Sequence, residues 1–245
     1  MQGQFERKVE ANQPDKMSIL KPKPEITKAM VDREMRQLFR LQTLIDVVYG
    51  IMLFRIFLFL PRPEVDGFGA KDLVKVLSES YLNYLMIIVG IFMLIVYWGQ
   101  SNMQFGNLER TRTPHAILSI LQVVFLLLYF YFVRLDVQFD GAAIALQMES
   151  IFLALAGLMS ILGWHYAVKN HLIADALSEE EKYEVYLKLY PEPIVSVLTF
   201  PFAFFGPDAW TASWLLLIPV TMITKRIIHN IKTKSKSEPN PGTFR

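Results

Sequence analysis

A chain of 245 residues that is 53% hydrophobic, with a mean hydropathy of +0.30, is too apolar for an ordinary soluble domain of its size. The formal charge is only +2 and cysteine is absent, so no nucleic-acid partner is expected, and disulfides, thiolate chemistry and cysteine-based metal sites are excluded. The composition is that of an integral membrane protein.

Residues 1 to 25 are charged and contain Lys21-Pro-Lys-Pro-Glu25, which reads as an extended linker closing a mobile tail. Met1-Gln-Gly-Gln-Phe-Glu-Arg-Lys has no apolar h-region, so no cleavable signal peptide is expected. Residues 26 to 39 have helix-forming composition with mixed charge, the pattern of a segment lying along the membrane surface. Residues 1–38 are therefore expected to be a tail with an interfacial helix, 39–231 a membrane domain, and 232–245 a basic tail.

From Leu41 to Leu60 the only strongly polar side chains are Gln42, Thr43, Asp46 and Arg55. A run of about 20 apolar residues spans a bilayer core. At about 100° per residue, Leu44, Val48, Ile51, Arg55 and Leu58 fall on one stripe with alternating steps of four and three, the spacing by which copies of a helix pack around an axis. Asp46 lies nine residues before Arg55, hence about 180° away and about 13 Å lower, so the two cannot pair within the helix. Asp46 is expected to point into the surrounding bundle and to orient this helix through Arg40 of a neighbouring helix, Asn83, or Ser101 and Asn102.

Further spans are expected at about 76–98, 116–133, 142–168, 193–205 and 209–224, giving an all-α bundle of six transmembrane helices. The fifth is short and contains Pro201, which kinks it or makes it enter obliquely. Ser178-Glu-Glu-Glu181 is a capping box, so a short soluble helix should start there and end before Pro191. Trp98, Trp164, Trp210 and Trp214 fall near predicted span ends and read as interface residues. Of the 25 lysines and arginines, 20 lie in the N-terminal segment through Arg40, the 99–115 and 169–192 segments and the C-terminal tail, and 4 lie in the alternate loops. Both termini are therefore expected on the cytoplasmic side, and the remaining cation is Arg55.

Two stretches carry a resemblance. Arg40-x-x-x-Leu44-Ile45-Asp46-x-x-Tyr49-Gly50-Ile51 resembles the first-helix signature of the transmembrane protein 175 potassium-channel family, Arg-x-x-x-Phe-Ser-Asp followed five residues later by isoleucine. Leu44 and Ile45 replace the Phe and Ser. Tyr97-Trp98-x-x-Ser101-Asn102-x-x-Phe105 is similar to the family's Tyr-Trp-x-x-His-His-x-x-Phe, with both histidines replaced. The resemblance implies a homotetramer in a bacterial inner membrane that passes potassium along an axis lined by the first helix. With the stripe above as the lining, the pore and gate are expected to be Leu44, Val48, Ile51, Arg55 and Leu58, and the resemblance implies Ile51 as the narrowest ring. It also implies a supporting polar network of Arg40, Asp46, Ser101 and Asn102.

Arg55 departs from the family, whose seam continues there with an apolar residue. Four guanidinium groups one turn from Ile51 would favour anions over cations. Alternatively Arg55 snorkels outward or pairs with Glu149, which lies at a matching depth in the fourth span. A non-conducting membrane scaffold is the rival of a different class. His115, His165, His171 and His229 show no metal-ligand spacing, and no nucleophile motif, phosphate loop or cofactor site appears, so only Glu149 with His165 leaves an enzyme conceivable. Membrane lipids, a permeant ion and further copies of the chain are the partners expected.

Overall fold

The computed structural model describes residues 24–56, 58, 81–139 and 142–237. The expected tail before Pro24, the turn at Pro61, the second span before Tyr81, and the last eight residues lie outside them, as does the side chain of Asn83. The elements are α1 (Pro24–Ile56), α2 (Tyr81–Gly106), α3 (Thr113–Gln138), α4 (Ala143–Lys169), α5 (Glu179–Leu189), α6 (Pro191–Thr199), α7 (Pro207–Ser213) and α8 (Leu217–Ser237). Short 3₁₀ segments at Phe200–Phe205 and Trp214–Leu216 follow α6 and α7. Five helical stretches among the described residues are long and apolar enough to cross a membrane: Lys28–Ile56, Ile87–Gly106, Thr113–Gln138, Ala143–Lys169 and Pro207–Ile231.

Residues 26 to 39, expected to lie along the membrane surface, are continuous with the first span in α1. α1 is one helix of 33 residues, about 50 Å long, which exceeds the length that a hydrocarbon core of about 30 Å requires. No glycine or proline stands between Pro24 and Gly50 to break it. Its outer end is also tied down, because the Glu34 carboxylate accepts from Arg112 Nε at 2.9 Å and lies 3.8 Å from Arg110 Nε, while the Glu34 carbonyl accepts from the Thr111 N–H.

α3 and α4 form the most extensive helix pair, and α6 closes against α4 through Gly157. A Cβ at Gly157 would meet the Pro193 ring at 2.7 to 2.9 Å, so only glycine admits this approach. The same corner is knotted by Ser150, whose Oγ accepts from Trp210 Nε1 at 2.9 Å and bonds Thr199 Oγ1 at 3.0 Å, joining α4, α6 and α7. The helical run from Pro191 changes to 3₁₀ at Phe200 because Pro201 lacks the N–H an α-helix needs there. Its two pieces together reach about 25 Å, short of a full hydrocarbon core. Gly206, at φ 99, then turns the chain into α7.

The capping box is present: Glu181 N–H donates to Ser178 Oγ, and Ser178 N–H donates to the Glu181 carboxylate. α4 ends without glycine, with His171 in the left-handed region at φ 53. The Leu172 N–H returns to the Ala167 carbonyl and the His171 N–H to Val168, the double bond that closes a helix end. Arg110 Nη2 holds the His171 carbonyl at 3.0 Å. Trp164, Trp210 and Trp214 are core residues, not interface residues, and only Trp98 is exposed. An indole buries a large apolar area once its N–H is satisfied, and Trp164 Nε1 donates to the Lys182 carbonyl just as Trp210 donates to Ser150.

Candidate functional site: the outer face of α1

α1 has two faces. Leu38, Leu41, Ile45, Tyr49, Met52 and Ile56 are buried against α2 and α3, in steps of three and four that hold one side of a helix toward the core. The opposite side is open. Leu44, Val47, Ile51, Phe54 and Leu58 alternate in steps of three and four and are each 50 to 67% exposed. Arg55 is exposed at the shoulder of this stripe, and Val48, placed on the seam by the sequence, is half-buried against the core. Val47 and Phe54 complete the exposed row because Tyr49 and Met52 pack into the core and set the rotation of the helix.

The residues expected to form one polar network separate into two groups. In the core, Tyr49 Oη and Ser101 Oγ are 3.2 Å apart, and Gln122 Nε2 donates to the same Ser101 at 3.4 Å, so a buried chain of three polar groups joins α1, α2 and α3. In the open, Asp46 does not enter its own bundle. It faces a groove of about 570 Å³ between α1 and α2, where Trp98 Nε1 donates to Asp46 Oδ1 at 3.4 Å and Asn102 lines the wall. Arg40 is exposed and belongs to neither group. Tyr49 and Gln122 were missed in the sequence, although a tyrosine on the apolar face of a spanning helix must find a partner for its hydroxyl.

Tyr97 and Phe105, from the second motif, are structural. Tyr97 Oη donates to the Leu153 carbonyl at 2.8 Å, and the Phe105 ring meets the His115 ring edge-on at 6.3 Å.

Glu149 is 1% exposed inside the α3–α4 pair, and its electrostatic neighbour is Asp136, a group of the same sign. Arg55 and Glu149 form no ion pair among the described residues, since one is exposed on α1 and the other is enclosed between α3 and α4. His165 Nδ1 lies 3.1 Å from Tyr186 Oη, away from Glu149, so the residues considered for an intramembrane reaction are not brought together. No group of three His, Asp or Glu side chains able to hold a metal ion occurs among the described residues.

Solved structures share this fold. The chain is similar to the crystal structure of a lysosomal potassium-selective channel TMEM175 homolog from Chamaesiphon Minutus, with a TM-score of 0.63 and 15% identity over 77% of this chain and 98% of that one. It is also similar to a variant of the potassium channel MtTMEM175 in complex with a Nanobody-MBP fusion protein, with a TM-score of 0.53 and 15% identity over 78% of this chain and 93% of that one. No family model and no curated protein matches the sequence. The architecture is thus the all-α fold of these channels in an integral membrane protein.

Proposed function

We propose that the protein is a passive ion channel, assembled as a homotetramer in a plasma membrane with both termini cytoplasmic, whose conduction path is lined by the exposed stripe of α1. One observation carries this reading. The exposed face of α1 combines the apolar row Leu44, Val47, Ile51, Phe54 and Leu58 with Arg40, Thr43, Asp46 and Arg55. Hydrocarbon cannot solvate those ionisable groups, at about 3 kcal/mol or more for each one at bilayer depth, so the face needs water or protein beside it. Further copies of the chain around an axis supply both. The shared fold with the two potassium channels agrees with this reading. Ile51, at the middle of the row, is then the narrowest ring.

Arg55 decides the ion. It lies at the shoulder of the row and makes no ion pair among the described residues, which supports an anion-preferring pore over a potassium-selective one if the guanidinium reaches the lumen. Reversal potentials of the purified protein in planar bilayers under asymmetric KCl distinguish the two. Arg55→Leu restores an apolar seam and is expected to move the reversal potential toward that of potassium. Absence of both potassium and chloride flux from liposomes would remove the channel reading and leave a membrane scaffold.

A further inference from the structure

A second feature of the chain lies at the opposite end of α1 from Arg55, ahead of the apolar run that begins at Leu41. Between its first turns and the start of α3 is a cavity of about 400 Å³, lined by Met30, Arg33, Glu34, Gln37, Arg112 and Thr113. Its charge is unbalanced. Glu34 is the one carboxylate in the wall, and it is already shared by Arg110 and Arg112 at 3.8 and 2.9 Å. Arg33 adds a third guanidinium, exposed and without an ion pair among the described residues. Two arginines and one carboxylate thus line the cavity, and that carboxylate is also shared with Arg110.

Depth identifies the kind of ligand. The cavity reaches Thr113 and Pro114, and the first large exposed aliphatic side chain of α3 is Ile117, about 6 Å beyond Thr113 along the helix. Ile120, Leu121 and Val124 then continue the apolar face for acyl chains. Headgroups occupy the outermost 5 to 7 Å or so on each side of the hydrocarbon core, so a phosphate there is level with the cavity. The α3 N-terminus receives no side-chain cap from Arg112, and its second residue, Pro114, has no N–H, so the two arginines are what the cavity offers an anion.

We propose that this cavity is a binding site for the phosphate headgroup of an anionic phospholipid in the leaflet on the arginine-rich side of the bundle. Arg33 and Arg112 hold the phosphate, Gln37 reaches its ester or glycerol oxygens, and the acyl chains lie along Ile117, Ile120 and Leu121. The site is independent of whether α1 conducts ions. Because Glu34 clamps α1 to the segment before α3, the headgroup joins that clamp as a second anion among the same arginines.

Native mass spectrometry of the delipidated full-length protein, titrated with phosphatidylglycerol or phosphatidylcholine, tests the proposal. Phosphatidylglycerol should bind in preference, and Arg33→Gln, which breaks no ion pair in the wall, should weaken it about fivefold, the usual effect of one arginine at an anionic surface. Lys182→Gln, on α5 and outside the cavity, should leave affinity unchanged and controls for bulk charge. Equal binding of the two lipids, or an unchanged affinity in Arg33→Gln, overturns the site. Inorganic phosphate that displaces phosphatidylglycerol at matched concentration would show that a soluble anion, not a lipid, is the ligand, and would also overturn it.

Discussion

α1 and α3 both bury an apolar face but place their polar groups on opposite sides. Between Ile117 and Tyr131, every exposed residue of α3 is apolar or tyrosine, while Ser119 and Gln122 are buried, as is His115 at its start. α1 does the reverse with its polar groups, exposing Arg40, Thr43, Asp46 and Arg55 beside its apolar row while Leu41, Ile45, Met52 and Ile56 are buried. Polar groups in a lipid-facing helix turn inward because hydrocarbon offers them no partner. A helix that turns them outward has a different neighbour. The two also differ in attachment: α3 is locked along its length against α4, whereas α1 touches the bundle on one narrow face.

The most direct way to break this comparison is to place the same charge on both outer faces. Leu127→Arg, on the exposed side of α3, should lower stability by about 3 kcal/mol, while Val47→Arg, on the exposed row of α1, should cost less than about 1 kcal/mol if that row meets water. Equal losses in chemical unfolding from lipid bicelles would mean that both faces meet lipid. The second effect concerns how firmly the α3–α4 side is built. Gly157→Ala drives a methyl group into the rigid Pro193 ring and should cost about 2 kcal/mol, read as a fall in the thermal midpoint in detergent. An unchanged midpoint would show that α6 can slide away from α4. A third, smaller effect falls on α1: Tyr49→Phe removes one link of the Tyr49–Ser101–Gln122 chain and should cost about 1 kcal/mol. Because Gln122 can still reach Ser101, a loss above about 2 kcal/mol would indicate that α1 depends on this link more than its apolar face implies.

Much of this contrast was legible in the sequence, and what was not has identifiable causes. Hydropathy located the spans, since length and apolarity are local properties, and the Ser178 cap was readable because its partner is three residues away. The 100° periodicity places Val48 on the seam with Leu44 and Ile51, whereas the exposed row of the single chain runs through Val47. Two apolar rows on one helix differ by only a small rotation, and tertiary packing selects between them. Asp46 was expected inside because a charge in a span needs a partner, and a lone sequence cannot show that Trp98 would supply one from an open groove. The tryptophans near span ends were read as interface residues, although Trp164 and Trp210 find acceptors in Lys182 and Ser150, more than a helical turn away in sequence and invisible to periodicity. The stop at His171 carried no glycine to announce it. The clamp of Glu34 by Arg110 and Arg112 links residues over 70 positions apart, a distance at which charge pattern says nothing about pairing.

The smallest expected effect on the single chain bears on what covers α1. Asp46 accepts one long bond from Trp98, at 3.4 Å, with both groups exposed. Asp46→Asn keeps an acceptor there and should change stability by less than about 0.5 kcal/mol. Asp46→Leu removes the acceptor, but in a free chain the Trp98 N–H is open to water, so the unfolding midpoint of the dissociated protein should again move little. In a tetramer the neighbouring copy closes the groove, and the same substitution strands the indole N–H and any group the neighbour offers to Asp46. The tetramer fraction by native mass spectrometry should then fall for Asp46→Leu and hold for Asp46→Asn. A fall in both variants would point to charge as the requirement, and a fall in neither would mean that the groove faces something other than a second copy, which would leave the outward charges of α1 to be satisfied by water or lipid headgroups alone.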